Sequence, residues 1–311
     1  MSNSKNEIKW SGIALRIFMN TVAHPMEYAK VLIQIGHEPL PPYPTTTLLG
    51  RRILALPNVL KYLAYVKNVD GFVGWYRGLG PKLCASTVYG ITFERVHEVI
   101  RIRGGRTPEI DENTTEEERQ KIFVYDLSQN VLCRTAAIIA SQPFNVITVR
   151  MMAQFVGGEN KYCGIFNSIK EIFHENGILG FFSGLVPRIV GEILSLIIAS
   201  SLTFVINYYF LEDEELKTYT SASMNFLAGT ITYPFQVVSN CMAVNDSGLI
   251  AGIPPQMPIY TSWTDCWSHL SRTNQLKRGS SILFRYYTGT QIVIQGRPIA
   301  VNKNNFLHSN S

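Results

Sequence analysis

His24-Pro25-Met26-Glu27, Gln142-Pro143-Phe144-Asn145 and Tyr233-Pro234-Phe235-Gln236 are one string written three times, and their reading decides the fold. In each copy the proline falls inside an apolar stretch and an aliphatic run follows it. Proline in the interior of a soluble helix costs about 3 kcal/mol, whereas a membrane helix tolerates it because neighbouring groups re-satisfy the freed carbonyl. Outward from the first two copies comes a second shared string, Asp70-Gly71 with Trp75-Tyr76-Arg77-Gly78-Leu79-Gly80-Pro81, and Asn176-Gly177 with Phe181-Phe182-Ser183-Gly184-Leu185-Val186-Pro187. Between the strings the spacing predicts a short amphipathic helix. Ile165, Phe166, Ile169, Ile172 and Phe173 stripe one face of it in the second copy, as do Trp263, Cys266, Trp267 and Leu270 in the third. The repeat unit is therefore a proline-bearing helix, a surface helix and a second long helix with proline in its first turn. This divides the chain into repeat 1 (1–105), an acidic linker (106–121), repeat 2 (122–214), a truncated repeat 3 (215–290) and a polar C-terminal tail (291–311).

Hydropathy puts these helices in a membrane. Residues 193–211 carry no formal charge and hold Tyr208 and Tyr209 near their end, and about 20 apolar residues cross a hydrocarbon core of about 30 Å, with tyrosine favoured at the interface. Residues 218–245 form a second charge-free stretch around Pro234. Residues 12–34, 79–100 and 127–155 are apolar in bulk but hold ionisable groups, which inside a membrane normally face protein or a water-filled cavity. Of the 311 residues only 16% are charged and 46% are hydrophobic, where a soluble globular chain carries about 25% charged. The net charge of +5 is scattered, which excludes the clustered basic face of a nucleic-acid binder.

No catalytic constellation, metal site or cofactor fingerprint stands out, so no enzyme activity is expected. Cys84, Cys133, Cys163, Cys241 and Cys266 read as free thiols, and the six histidines, mutually distant, as solvated or interfacial. Trp263 and Trp267 read as interfacial anchors, and residues 1–12 resemble neither a secretory nor a matrix-targeting signal.

The three prolines with their flanking residues, and the Asp-Gly and aromatic-basic-Gly element, resemble the mitochondrial carrier family, whose signature is P-x-[DE]-x-x-[KR] followed by [DE]-G-aromatic-[KR]-G in each of three repeats. The positions that carry the resemblance are Pro25, Glu27, Lys30, Asp70, Gly71, Arg77, Gly78, Pro143, Gly177, Gly184 and Pro234. It implies an all-α membrane fold of paired, tilted helices about a pseudo-threefold axis, with short surface helices. Stretches such as Pro258-Ile259-Tyr260-Thr261-Ser262-Trp263-Thr264-Asp265-Cys266-Trp267 look like a particular divergent branch.

Two departures matter. Carriers gate by salt bridges between the charged signature residues of their repeats, and only Glu27 with Lys30 keeps both charges; Asn145 with Thr148 and Gln236 with Ser239 are neutral. Glu27 and Lys30, three apart on one helix, are close enough to pair with each other, which is the plain alternative to a gate or groove role for both. After Arg285 no stretch of about 20 apolar residues remains, so the sixth transmembrane helix is missing. A barrel lacking one helix would open its polar interior sideways to lipid, and Lys30, Arg134, Glu192, Tyr233, Ser239 and Asn240 are the groove-lining candidates.

The resemblance to the divergent branch implies the mitochondrial outer membrane and a role in inserting tail-anchored and other α-helical membrane proteins. It also implies docking of a pro-apoptotic Bcl-2-family protein, with membrane lipids as further partners and lipid scrambling as a by-product. A solute carrier with a degenerate gate, and a non-translocating receptor or scaffold, stay open as alternatives. The scaffold would use the acidic run Glu109, Asp111, Glu112, Glu116, Glu117 and Glu118, which otherwise reads as a solvated linker.

Overall fold

A computed structural model describes residues 2–46, 50, 52–104, 115–209, 214–287, 289, 291–294 and 297–300. Five long helices dominate it: α1 (Ser2–Gln34), α3 (Leu79–Gly104), α4 (Glu116–Ala153), α6 (Leu185–Tyr209) and α7 (Glu214–Val244). Three shorter ones, α2 (Val59–Gly74), α5 (Ile165–Asn176) and α8 (Trp263–Arg272), fall where the amphipathic stripes predict surface helices. Pro25, Pro143 and Pro234 lie inside α1, α4 and α7, none of which ends at its proline.

The core sits at one end, where the C-terminal halves of α1, α4 and α7 converge and the short helices pack on them. Tyr28, Leu32, Ile33, Val146, Ile147, Met152, Val237, Val238 and Val244 are buried there with Tyr62 of α2, Ile172 of α5 and Leu270 of α8. Away from that end α3 runs along α4 and α6 along α7. The faces that remain carry exposed large apolar side chains: Leu15, Phe18 and Val22 on α1, Leu194, Ile197 and Val205 on α6, Phe226, Leu227 and Ile231 on α7. Apolar side chains facing outward along these helices suit a lipid surrounding. By length and apolarity together, Ile178–Tyr209 alone among the described residues meets the criteria for a span.

A small sheet joins the segment after α1 to residues 285–286. β1 (Tyr43–Thr46) and β2 (Arg52–Leu56) pair antiparallel, and β3 (Arg285–Tyr286) adds to β2 with Leu56 opposite Arg285. Arg285 locks this join by donating to the Pro57 carbonyl at 2.9 Å and pairing with Glu38.

Two boundaries differ from expectation. The acidic linker does not extend to 121, because α4 begins at Glu116. The Thr115 N–H donates to Glu118 Oε2 at 3.2 Å, and acidic side chains in a first turn are favoured by the helix dipole. Glu109, Asp111 and Glu112 lie outside the described residues. The start of the polar tail is an antiparallel hairpin, β4 (Gln291–Ile294) with β5 (Arg297–Ala300), in which Ile292 faces Ile299 across the ladder.

Candidate functional site

One contact recurs at the convergent end. The residue before each signature proline bonds to a backbone carbonyl that precedes a glycine: His24 Nε2 to Arg77 O at 3.0 Å, Gln142 Nε2 to Ser183 O at 2.9 Å, Tyr233 Oη to Arg278 O at 3.0 Å. The glycines that follow, Gly78, Gly184 and Gly279, have φ of 82°, 71° and 76°, a region that side chains with a Cβ rarely occupy. They also sit close to the next proline helix. A Cβ on Gly78 would stand 3.1 Å from Thr148 O of α4, one on Gly184 would collide with Ser239 O of α7, and one on Gly279 would stand 3.3 Å from Ile33 of α1. The third member escaped the sequence reading because Leu276-Lys277-Arg278-Gly279 keeps only the basic residue and glycine of its string.

Above this contact lies a polar cavity of about 310 Å³ between α6 and α7, which α1 and α4 reach with Glu27 and Asn145. Of the predicted groove residues, Glu192, Tyr233, Ser239 and Asn240 line it. Lys30 and Arg134 stand one contact behind: Lys30 Nζ lies 4.8 Å from the centroid of the Tyr233 ring, and Arg134 Nη1 lies 3.4 Å from Glu192 Oε2. The neutralised signature positions Asn145 and Gln236 face the same space as Glu27.

The cavity floor is tied by neutral hydrogen bonds. Asn240 Nδ2 donates to Gln34 Oε1 at 2.6 Å, Gln34 Nε2 donates to Tyr233 Oη at 2.8 Å, and Ser239 Oγ donates to Gly184 O at 2.9 Å. Sequence reading missed Gln34 and also Arg188, which lines the cavity and donates to Gln142 Oε1 at 2.7 Å. The one signal for Arg188 was its position four residues before Glu192, on the same helix face.

Several expectations need correction. Glu27 pairs with Lys82 of α3 rather than with Lys30, because the Lys30 side chain lies over Tyr233 instead. His24 is buried, and His37 in the turn after α1 bonds Tyr62 Oη at 2.7 Å, so these two histidines are packing elements rather than solvated ones. Burial pushes the His37 imidazole down to about 4. Trp267 packs inward on Phe235, with ring centroids 4.7 Å apart, so it does not stand free as an anchor. The remaining signature residues are structural: Asp70 pairs with Arg77 at 2.8 Å, and Gly71 and Gly177 turn the chain with φ of 73° and 63°. No cluster of three or more His, Cys, Asp or Glu side chains that could hold a metal occurs among the described residues.

Comparison with known proteins agrees with this frame. The family model described as mitochondrial carrier protein matches residues 120–212. Mitochondrial carrier homolog 2 of Homo sapiens is 40% identical over 283 residues, covering 88% of this chain and 93% of the human protein. Mitochondrial carrier homolog 1 of Mus musculus is 36% identical over 299 residues, covering 88% of this chain and 75% of the mouse protein. Solute carrier family 25 member 16 of Mus musculus is 30% identical over 185 residues, covering 58% of this chain and 47% of that protein. The chain belongs to the mitochondrial carrier family and is a mitochondrial membrane protein. Within the family it stands with the proteins named mitochondrial carrier homolog 2, the divergent branch that its sequence resembles.

Proposed function

We propose that this chain is a five-span protein of the mitochondrial outer membrane in which a three-repeat carrier frame, lacking its sixth helix, serves as an insertase for tail-anchored and other α-helical membrane proteins. The observation that carries this reading is the polar cavity with Glu27, Arg188, Glu192 and Asn240 on its walls, held by helices whose other faces are apolar and exposed. A charged side chain near the bilayer centre costs about 2.5–3.5 kcal/mol. A wetted cavity beside lipid lowers that cost for a short hydrophilic tail while the adjoining apolar segment slides into the bilayer.

The absent gate favours this reading over a solute carrier. Thr148 and Ser239 stand where carriers keep basic residues, and the Asn240–Gln34–Tyr233 bonds close the floor without an ion pair that could break and re-form. The described residues after Arg272 hold no helix, only short strands, which supports the missing sixth span. Lipid headgroups would share the polar path, giving scrambling as a by-product. Docking of a pro-apoptotic Bcl-2-family protein is the second role, and it rests on the resemblance alone.

A photo-crosslinking residue placed at Ser239 tests the route. Capture of the client's hydrophilic tail during insertion, with none from the same probe at outward-facing Phe166, supports the groove. Equal capture from both positions contradicts it. Saturable uptake of a defined solute by proteoliposomes would restore the carrier reading.

A further inference from the structure

Among the described residues the charged side chains that face the polar cavity are Glu27, Arg188 and Glu192. Both carboxylates are paired with cations that stand outside it, Glu27 with Lys82 and Glu192 with Arg134 at 3.4 Å. Arg188 has no such partner. Among the described residues its side chain bonds only the neutral Gln142 Oε1, through Nη1 at 2.7 Å, and enters no ion pair. Glu192 stands one turn further along α6, but its carboxylate is engaged by Arg134. Lys30, behind Tyr233, is likewise in no ion pair and lies over that ring. The paired charges cancel, which leaves the cavity with Arg188 and Lys30 as uncompensated cations. Arg188 also sits in the first turn of α6, which starts at Leu185, and the dipole of a helix adds positive potential there. The Nη1 bond to Gln142 fixes the guanidinium plane and leaves its Nε–H and Nη2–H donors unspent among the described residues. That pair of donors is the fork that matches the two oxygens of a carboxylate.

We propose that Arg188, backed by Lys30, binds the C-terminal carboxylate of the client chain as its hydrophilic tail enters the cavity. The proposal rests on the insertase reading and names the group which that site recognises. A chain anchored by its last apolar segment presents a free carboxylate at the end of its tail, and a full charge is the most costly group to carry past lipid. A guanidinium waiting in the cavity takes up that charge with two hydrogen bonds in place of water. It holds the end of the tail among polar walls while the apolar segment moves into the bilayer. A lipid headgroup phosphate offers the same oxyanion chemistry, and the test separates the two sources.

The full chain in phosphatidylcholine nanodiscs is titrated with a fluorescent glycine-serine peptide that ends in a free carboxylate, and with the same peptide amidated. The free acid is expected to bind about tenfold more tightly. In Arg188→Gln that preference falls to near unity, and Arg188→Lys, which keeps the charge without the fork, retains part of it. Each variant is scored by its own ratio of acid to amide, so a smaller folded fraction does not imitate the result. Equal affinity of wild type for acid and amide, or an undiminished preference in Arg188→Gln, overturns the proposal. So does displacement of the acid peptide by glycerophosphate at about tenfold lower concentration than by N-acetylglycine, which would assign the guanidinium to headgroup phosphate. Insertion of whole clients from liposomes is scored separately. Clients with free and amidated ends inserted equally fast would keep the insertase and remove this site, whereas a peptide preference without client insertion would keep the carboxylate site and remove the insertase.

Discussion

Asn240 donates its side-chain N–H to the Gln34 side-chain oxygen at 2.6 Å, joining α7 to α1 across 206 residues of chain. Both side chains are buried, and Gln34 passes the connection on to Tyr233 at 2.8 Å. The bond stands close to where the carrier frame would put charged partners, and its amides keep α1 and α7 together at every pH that leaves them intact.

Breaking that bond on one side is costly, because a buried amide left without its partner loses its solvation with no return. Asn240→Leu is expected to lower stability by about 1–3 kcal/mol. A double-mutant cycle with Gln34→Leu should show a coupling of about 0.5–3 kcal/mol. Unfolding in detergent by denaturant measures both, and strict additivity would mean that the two amides do not support each other.

Gly184 is predicted to be the least replaceable glycine of the second string. Alanine there must hold φ near 71° and place its Cβ against the Ser239 carbonyl, whereas Gly158, with φ of 63°, has open space around it. Gly184→Ala should cost about 1–3 kcal/mol or more, with Gly158→Ala bearing the backbone strain alone. Thermal midpoints of the two variants, compared in one detergent, give the difference.

His37 sets an acid limit. Its imidazole is neutral when folded, with its affinity for protons pushed down to about 4 by burial, while in the unfolded chain it titrates near 6.5. Between those values the unfolded state holds the extra proton, so stability is fully present above about pH 6.5 and falls as the pH drops toward 4, by up to about 3 kcal/mol. His37→Gln keeps an acceptor for Tyr62 and removes the titration. Its stability should be flatter than wild type over that window.

The proline strings and the amphipathic stripes made the long and short helices legible, because a period of 3.6 and a membrane-tolerated proline are local signals. Glu192, Tyr233, Ser239 and Asn240 were legible as polar groups on otherwise apolar helices. What escaped was set over distance. Glu27 chose Lys82, 55 residues away, over a neighbour on its own helix. β3, two residues long, exists because β2 offers an edge and Arg285 can reach Pro57, which nothing near Arg285 in the chain announces. The Arg278–Gly279 turn kept its geometry after losing the Asp-Gly and aromatic residues that identify its counterparts, so pattern matching passed over it while the bond from Tyr233 found it.

The central claim is that charge in the polar cavity acts on a polypeptide crossing beside it. Purified protein in liposomes, supplied with a tail-anchored client, should insert that client faster than protein-free liposomes do. Glu192→Arg and Lys30→Glu, folded to wild-type thermal midpoints, should each change the rate by about tenfold, the effect of roughly 1.4 kcal/mol at the barrier. Insertion no faster than in protein-free liposomes, or a rate untouched by either reversal, would contradict the account and leave a receptor or scaffold built on a carrier frame.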